Sequence, residues 1–140
     1  NAGPDIEQCF ADLKAELEGK NWEVSMKLMD IGVNIVKGKI ILDIERKVTI
    51  SKDDNIQSFD NFEVKVISPL YDLVNTAIEI SNEEAKYCYF EYVGYMVIYP
   101  KIDIEKYAMS DSTKIYTIKD KKSEKEMNIA IRSCAIPPGI

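Results

Sequence analysis

The chain has 140 residues, 46% of them apolar and 30% charged, and its formal net charge is −6 at pH 7. This acidic balance, without a basic helix face, argues against nucleic acid as a partner. The sequence contains no histidine, which excludes serine–histidine–aspartate and cysteine–histidine nucleophiles and histidine-ligated metals. We interpret residues 1–2 as the remnant of a cleaved tag and residues 3–140 as one globular domain.

The chain opens with a predicted helix, which a predicted strand follows. Asp5 with Gln8 three positions later is typical of a capped helix start, and apolar residues at helical spacing predict a helix over residues 5–18. Apolar residues then alternate with polar ones and predict a half-buried strand: Trp22, Val24, Met26 and Leu28. A helix over residues 22–36 fits a 3.6-residue spacing as well. We favour the strand because isoleucine, valine and glycine are poor helix formers.

Two further strands are predicted on either side of a polar loop. Residues 37–39 (KGK) are typical of a turn, and the alternation after them predicts a strand over residues 40–50. Residues 51–61 are rich in charged and amide side chains, which predicts a loop. Alternation resumes over residues 62–66, so this half of the chain is expected to form strands with one wet face.

The second half is predicted to begin with a helix. Pro69 suits the first turn of a helix, which we place at residues 69–85. Its apolar face is expected to hold six residues: Leu70, Leu73, Val74, Ala77, Ile78 and Ser81. A strand over residues 87–99 is predicted next, and a loop with Asp103 and Glu105 follows it.

The chain ends in a predicted hairpin, residues 114–118 and 127–136, around a charged turn. The order of the elements shows no regular β-α-β alternation. It therefore predicts an α+β fold, with one antiparallel sheet of about five to six strands and two helices packed on one face, in the order α-β-β-β-α-β-β-β.

The stretch YCYFEYVGYMVIYP, residues 87–100, holds five of the eight tyrosines. In a strand, alternate side chains share a face, which predicts a recognition surface: Tyr87, Tyr89, Glu91, Tyr95 and Tyr99. Such a row could bind a protein partner or a second copy of the chain. The simpler interpretation is that the tyrosines stabilise a central strand through cross-strand aromatic pairs.

A second candidate site is a pocket between sheet and helices, lined by Arg132, Tyr92 and Cys88. A half-buried arginine there would need a carboxylate or an anionic ligand; an ion pair with Glu91 or Glu45 is the simpler interpretation. The three cysteines lack the spacing of a zinc site. Inert burial explains them most simply, and a disulfide between Cys88 and Cys134 is the alternative.

Other motifs are weak. The segment GVNIVKGKI, residues 32–40, has the wrong spacing for a phosphate-binding loop and predicts a hairpin turn. Four carboxylates in residues 53–63 offer oxygen ligands for calcium without the EF-hand spacing: Asp53, Asp54, Asp60 and Glu63. Asp103 and Glu105, two residues apart, are only a weak indication of a carboxylate pair for acid–base catalysis, and surface charge explains them as well. We therefore predict no metal, no cofactor and no catalytic residue.

These observations predict a non-catalytic interaction or assembly domain that binds a protein partner or itself through a sheet face. The apparent trimming of the N-terminus favours an extracytoplasmic or cell-envelope location, with membrane attachment only through a removed N-terminal segment. A cytoplasmic location is the alternative. The alternative function is a small-molecule or anion binder, or a histidine-free enzyme, with its pocket between sheet and helices.

Overall fold

The computed structural model describes residues 3–132. Within them the chain forms two compact units, one made of residues 3–34 and 40–66, the other of residues 35–39 and 67–132. We refer to them as unit 1 and unit 2 and describe each by itself. The assignment of residues 3–140 to one domain stays a prediction.

The α+β class is confirmed, with antiparallel strands throughout. The described residues form ten elements: α1 Gly3–Gly19, β1 Glu23–Met26, β2 Asp30–Val36, β3 Lys39–Lys52, β4 Asn55–Ile67, α2 Leu70–Tyr87, α3 Tyr92–Ile98, β5 Ile102–Ala108, β6 Lys114–Asp120 and β7 Glu126–Ile131. Three helices and seven strands are therefore present where we expected two helices and about five to six strands. The strands form a four-stranded and a three-stranded sheet instead of one sheet.

Unit 1 packs one face of its sheet against α1. Phe10 of α1 is buried with Ile44 and Val48 of β3, and its ring meets Phe62 edge-on at 5.3 Å between centroids. The guanidinium of Arg46 lies 4.8 Å from the centre of the Phe10 ring. This small core explains why the amphipathic α1 forms where the apolar spacing predicts it.

The strands of unit 1 are organised around β3. β1 pairs antiparallel with the second half of β3, with Glu23 opposite Ser51 and Met26 opposite Val48. β2 and β4 also pair with β3. The helix considered for residues 22–36 does not form. β-branched side chains in this segment pack better on a pleated surface than on a helix.

The loop predicted for residues 51–61 was wrong. β3 continues to Lys52 and β4 begins at Asn55, so only Asp53 and Asp54 form the turn. Asp53 has a φ of 53°, in the left-handed region that aspartate tolerates better than most residues. The polar side chains that indicated a loop lie along a solvated strand instead, since nearly all of β4 is exposed.

Unit 2 is a three-stranded meander, β5-β6-β7, against which α2 packs. Its core joins residues of all these layers: Leu73, Ala77, Ile80, Phe90, Ile102, Ile104, Tyr116 and Ile118. The predicted final hairpin is confirmed as far as Ile131 by the β6–β7 pairing, within which Tyr116 faces Ile129; residues 133–136 of the predicted strand lie outside the described residues. The loop predicted around Asp103 and Glu105 is wrong, because both residues belong to β5, where Asp103 faces Lys119.

The predicted face of the second helix was partly wrong. The buried residues of α2 are Leu73, Thr76, Ala77, Ile80 and Glu84. Ile78 and Ser81, which we expected on that face, are exposed. Two polar residues therefore lie within the buried stripe, and each has a hydrogen-bond partner there.

The strand predicted for residues 87–99 was also wrong. α2 runs to Tyr87, Cys88 takes a left-handed conformation with a φ of 57°, and α3 begins at Tyr92. Tyr92, Tyr95 and Met96 pack against the core at the i, i+3, i+4 spacing of a helix. The Glu91 side chain accepts hydrogen bonds from the amides of Val93 and Gly94 and so caps the helix.

Candidate functional site

The tyrosine-rich segment runs from the end of α2 to the residue after α3 and does not form a row on a strand. Tyr87, Tyr89 and Tyr99 are exposed, whereas Tyr95 is half-buried. The Nζ atom of Lys86 lies 4.6 Å from the centre of the Tyr87 ring. The predicted surface residues are thus present near the protein surface, but no common strand face brings them together.

Glu91 organises the entry to α3. The Tyr89 hydroxyl donates to Oε2 of Glu91 at 2.5 Å, and the amides of Val93 and Gly94 each donate to Oε1 at 3.2 Å. The Tyr89 hydroxyl and the Gly94 amide hold the pKa of Glu91 below its ordinary value. The same hydrogen bond raises the pKa of Tyr89. Glu91 is therefore an ionised helix cap, and both of its carboxylate oxygens already accept hydrogen bonds within the chain.

α3 is apolar on every side. Its sequence, YVGYMVI, contains no charged residue, and tyrosine hydroxyls are its only polar side-chain groups. The inward side packs on the core, but Val93, Val97 and Ile98 keep 54%, 77% and 71% of their surface exposed. A helix that is apolar all round is normally buried, so this outer side is unusual for a surface helix. We call these three residues the outer face of α3.

A cleft of about 440 Å³ adjoins this face. Residues of α2 form one wall: Asp72, Asn75, Thr76 and Glu79. The other lining residues are Lys37, Tyr95, Ile98, Tyr99, Pro100, Lys101 and Ile102. Ile98 belongs both to the cleft and to the outer face of α3, so the two surfaces are continuous.

The aromatic wall of the cleft is fixed by contacts within unit 2. The rings of Tyr95 and Tyr99 lie 4.5 Å apart, and the Tyr95 hydroxyl is 3.1 Å from Oγ1 of Thr76. Thr76 in turn donates to the carbonyl of Asp72 at 2.8 Å. Burial, followed by the nearby Glu79 carboxylate, raises the pKa of Tyr95. Tyr95 therefore stays a neutral phenol and offers an aromatic surface to the cleft.

A buried ionic cluster that the sequence did not reveal lies elsewhere in unit 2. Glu84 is 1% exposed and accepts hydrogen bonds from Lys114 and Tyr116, while Lys106 Nζ lies 3.7 Å from its Oε1. Burial raises the pKa of Glu84, but these hydrogen bonds and lysine charges outweigh it and leave the pKa below its ordinary value. The pKa of Tyr116 is raised by burial and by the hydrogen bond to Glu84.

The cluster has a structural role, because it connects α2 to two strands. Lys114 also donates to the carbonyl of Cys88 at 2.6 Å, which holds the end of α2 against β6. The spacing in the sequence could have revealed this position. Glu84 follows Ala77 by seven residues and Ile80 by four, and this helical spacing places its carboxylate on the buried stripe of α2.

The cleft is not the alternative pocket that the sequence suggested. It is lined by none of the three residues expected there, Arg132, Tyr92 and Cys88. Arg132 is exposed just after β7, and Tyr92 packs on the core. The predicted Cys88–Cys134 disulfide stays a prediction, since Cys134 lies outside the described residues. Inert burial was wrong for one cysteine, because Cys9 is exposed.

The remaining carboxylates do not converge. Asp53 and Asp54 form the β3–β4 turn, while Asp60 and Glu63 lie along β4, where Lys65 pairs with Glu63 at 2.5 Å. Within residues 3–132 no group of three or more acidic or cysteine side chains has a geometry suited to a metal ion. No helix in this part of the chain is long and apolar enough to cross a membrane.

Comparisons with protein-family models, with curated proteins and with solved structures find no match for this chain. Function is therefore inferred from the chain's own surfaces. Among these, the outer face of α3 and the adjoining cleft combine exposed apolar side chains with a fixed aromatic wall.

Proposed function

We propose that the protein is a non-catalytic interaction domain that binds a partner protein through the outer face of α3 and the adjoining cleft. The observation that carries the proposal is the exposure of Val93, Val97 and Ile98 on a helix with no charged residue. Exposed single apolar residues are ordinary, whereas a continuous apolar patch marks an interaction site.

The position of α3 supports this choice. The helix is held rigidly, because Glu91 caps its start and Tyr92, Tyr95 and Met96 anchor its inner side. A rigid apolar surface loses little conformational entropy when a partner covers it. The outer face of α3 is therefore prepared for binding in the free protein.

The cleft suggests the chemistry of the partner. Asp72 and Glu79 lie on one wall, about two helical turns apart, and Tyr95 and Tyr99 line the same cleft. Carboxylates beside aromatic rings favour a lysine or arginine side chain, through charge and through cation–π attraction. Lys37 and Lys101 also line the cleft and equal these two carboxylates in number. The charge of Lys101 acts on Asp120, whose pKa it helps to lower.

We therefore infer that the partner presents an apolar side chain to α3 and a basic side chain to the cleft. Such a pair fits within one short peptide segment, since Ile98 borders both surfaces. Buried apolar anchors generally provide most of the affinity of such contacts, and charged contacts at the edge mainly provide specificity.

A random peptide library displayed on phage tests this proposal. Panning on the wild-type protein should enrich peptides that combine a large apolar residue with lysine or arginine. Val97→Ser should abolish their binding, whereas Val33→Ser, a matched change at an exposed valine of β2, should not. No enrichment, or equal binding by the two variants, would contradict the proposal.

The volume of the cleft favours a second candidate function, the binding of a small organic cation. Its roughly 440 Å³ lies within the range of ligand pockets, about 300–1,000 Å³. A library of small amines and guanidines would then raise the melting temperature of the wild-type protein, and Glu79→Gln would remove that effect. If only peptides bind, the small-molecule function is wrong.

The extracytoplasmic or envelope location stays part of the proposal. A Cys88–Cys134 bridge, which is the alternative to inert burial, would support it, because disulfides persist in oxidising compartments. Peptide mapping without reduction of protein from its native source should recover Cys88 and Cys134 in one linked fragment. Recovery of both as free thiols would favour the cytoplasm instead.

A further inference from the structure

We propose that two copies of this chain associate by antiparallel pairing of their β4 strands. β4 is 13 residues long, and among the described residues its one strand partner is β3. Its other edge therefore presents a row of backbone amides and carbonyls that another strand can bind. This self-association is separate from the partner binding proposed for α3.

β4 lacks most of the features that protect free edges. It contains no proline or glycine, it is long, and its three charged residues include a single lysine. Natural edge strands are usually short, or interrupted by proline, bulges or several lysines. Five apolar side chains of this strand are also exposed: Ile56, Phe59, Val64, Val66 and Ile67.

The charges of β4 favour a second copy as the occupant. In a symmetric antiparallel pair the two-fold axis is perpendicular to the sheet, so one residue faces its own copy and neighbours on either side face each other. With the axis at Val64, Glu63 faces Lys65 of the second copy, and Lys65 faces Glu63 of the second copy. Each pair unites opposite charges, and both pairs lie on the same sheet face.

Other positions of the axis between residues 60 and 65 lack this complementarity. An axis at Asp60, Glu63 or Lys65 sets that charged residue against its own copy, which is destabilising. An axis at residue 61 or 62 creates no opposite pair. The Val64 register therefore predicts pairing of residues 61–67 with residues 61–67 of the second copy.

The same register brings apolar residues together on the opposite face. Val64 meets Val64 of the second copy, and Phe62 meets Val66. Glu63 and Lys65 already form an ion pair within one strand and keep about half of their side-chain surface exposed. Pairing would place Glu63 and Lys65 of both copies in a square of four alternating charges. The ion pair within each strand would be kept.

A cysteine cross-link tests the register. Facing Cβ atoms in an antiparallel pair lie about 4.5–5.5 Å apart, close to the separation that a disulfide needs. Val64→Cys in a Cys9→Ser background should give a covalent dimer under mild oxidation, with the link mapped to position 64. Val66→Cys is the matched control, because residue 66 faces Phe62 and not itself; it should stay monomeric on a non-reducing gel.

Charge exchange tests the pairing without a cross-link. Glu63→Lys and Lys65→Glu should each weaken self-association about tenfold in sedimentation velocity, since each change turns two attractions into repulsions. The double variant E63K/K65E should recover wild-type association. A mixture of the two single variants should form heterodimers, because the lysine introduced at position 63 of one copy then faces the glutamate introduced at position 65 of the other.

The outcomes separate this inference from the proposal for α3. A wild-type protein that stays monomeric up to millimolar concentration, or a cross-link for Val66→Cys equal to that for Val64→Cys, overturns the β4 pairing. Val97→Ser should leave self-association unchanged. Loss of dimers in that variant, with no response to the charge changes, would overturn the β4 inference and assign self-association to α3.

Discussion

Replacement of Glu84 by glutamine tests the buried cluster of unit 2. The carboxylate is 1% exposed and accepts hydrogen bonds from Lys114 and Tyr116, with Lys106 close by. Removal of one partner of a buried ion pair typically costs about 3–5 kcal/mol, because an uncompensated charge is left behind. The Lys106 and Lys114 side chains keep 20% and 25% of their surface exposed and can turn partly to water. We therefore expect the lower end of this range.

A loss of about 3 kcal/mol corresponds to a fall in melting temperature of about 10 °C for a chain of this size. Thermal unfolding followed by circular dichroism measures it at neutral pH. Glu105→Gln, a change at an exposed carboxylate of β5, is the matched control and should shift the melting temperature by about 1 °C or less.

The pH dependence of the stability tests the role of Glu84 independently. The pKa of Glu84 is lower in the folded chain than in the unfolded chain. Its stabilisation is therefore complete above the unfolded value of about 4.3 and is lost as the pH falls through the folded value. Glu84→Gln should flatten the acid limb of the stability curve. A melting temperature within about 2 °C of the wild type, with an unchanged acid limb, would refute the reasoning.

Three other predictions test local features. Tyr95→Ser should lower the melting temperature by several degrees, since its ring packs on the core and its hydroxyl contacts Thr76, whereas Tyr89→Ser should change it little; equal shifts would contradict the packing. Glu91→Ala should lower the melting temperature slightly and speed amide hydrogen exchange in α3, because the cap is lost; unchanged exchange would mean that the cap is dispensable. Gly38→Ala should cost about 1 kcal/mol in urea unfolding, since Gly38 has a φ of 82°; a neutral change would argue against that conformation.

The fold class and most element positions could be predicted from the sequence, because apolar periodicity is strong where one face of an element is buried. α1, β3 and the β6–β7 hairpin follow this rule. The polar residues of β4 misled the prediction, since every residue of that strand except Phe62 is exposed and the usual alternation is missing over residues 51–61.

The tyrosine-rich segment was mispredicted for a different reason. Tyrosine and valine favour strands on average, but that preference is weak and context decides it. Here Glu91 supplies a cap, and Tyr92, Tyr95 and Met96 lie at helical spacing, so the tertiary core selects a helix. The signal was present in the i, i+3, i+4 pattern, and the alternation of tyrosines obscured it.

The candidate site could be predicted only in part. Tyr95, Tyr99 and the surrounding apolar residues were recognised as a possible surface from composition. The carboxylates of α2 that line the cleft were not, because their place beside the aromatic rings depends on the packing of α2 against α3. Long-range packing of this kind leaves no mark in the spacing of a single segment.

The most direct test of the central claim is a nuclear magnetic resonance titration of the labelled 140-residue protein with a peptide selected by panning. If α3 and the cleft form the binding surface, the largest amide shift changes will map to residues 93–99 and to Asp72, Asn75 and Glu79. Val97→Ser will abolish them. Shift changes confined to unit 1, or retained in Val97→Ser, would contradict the claim that this protein binds its partner through α3.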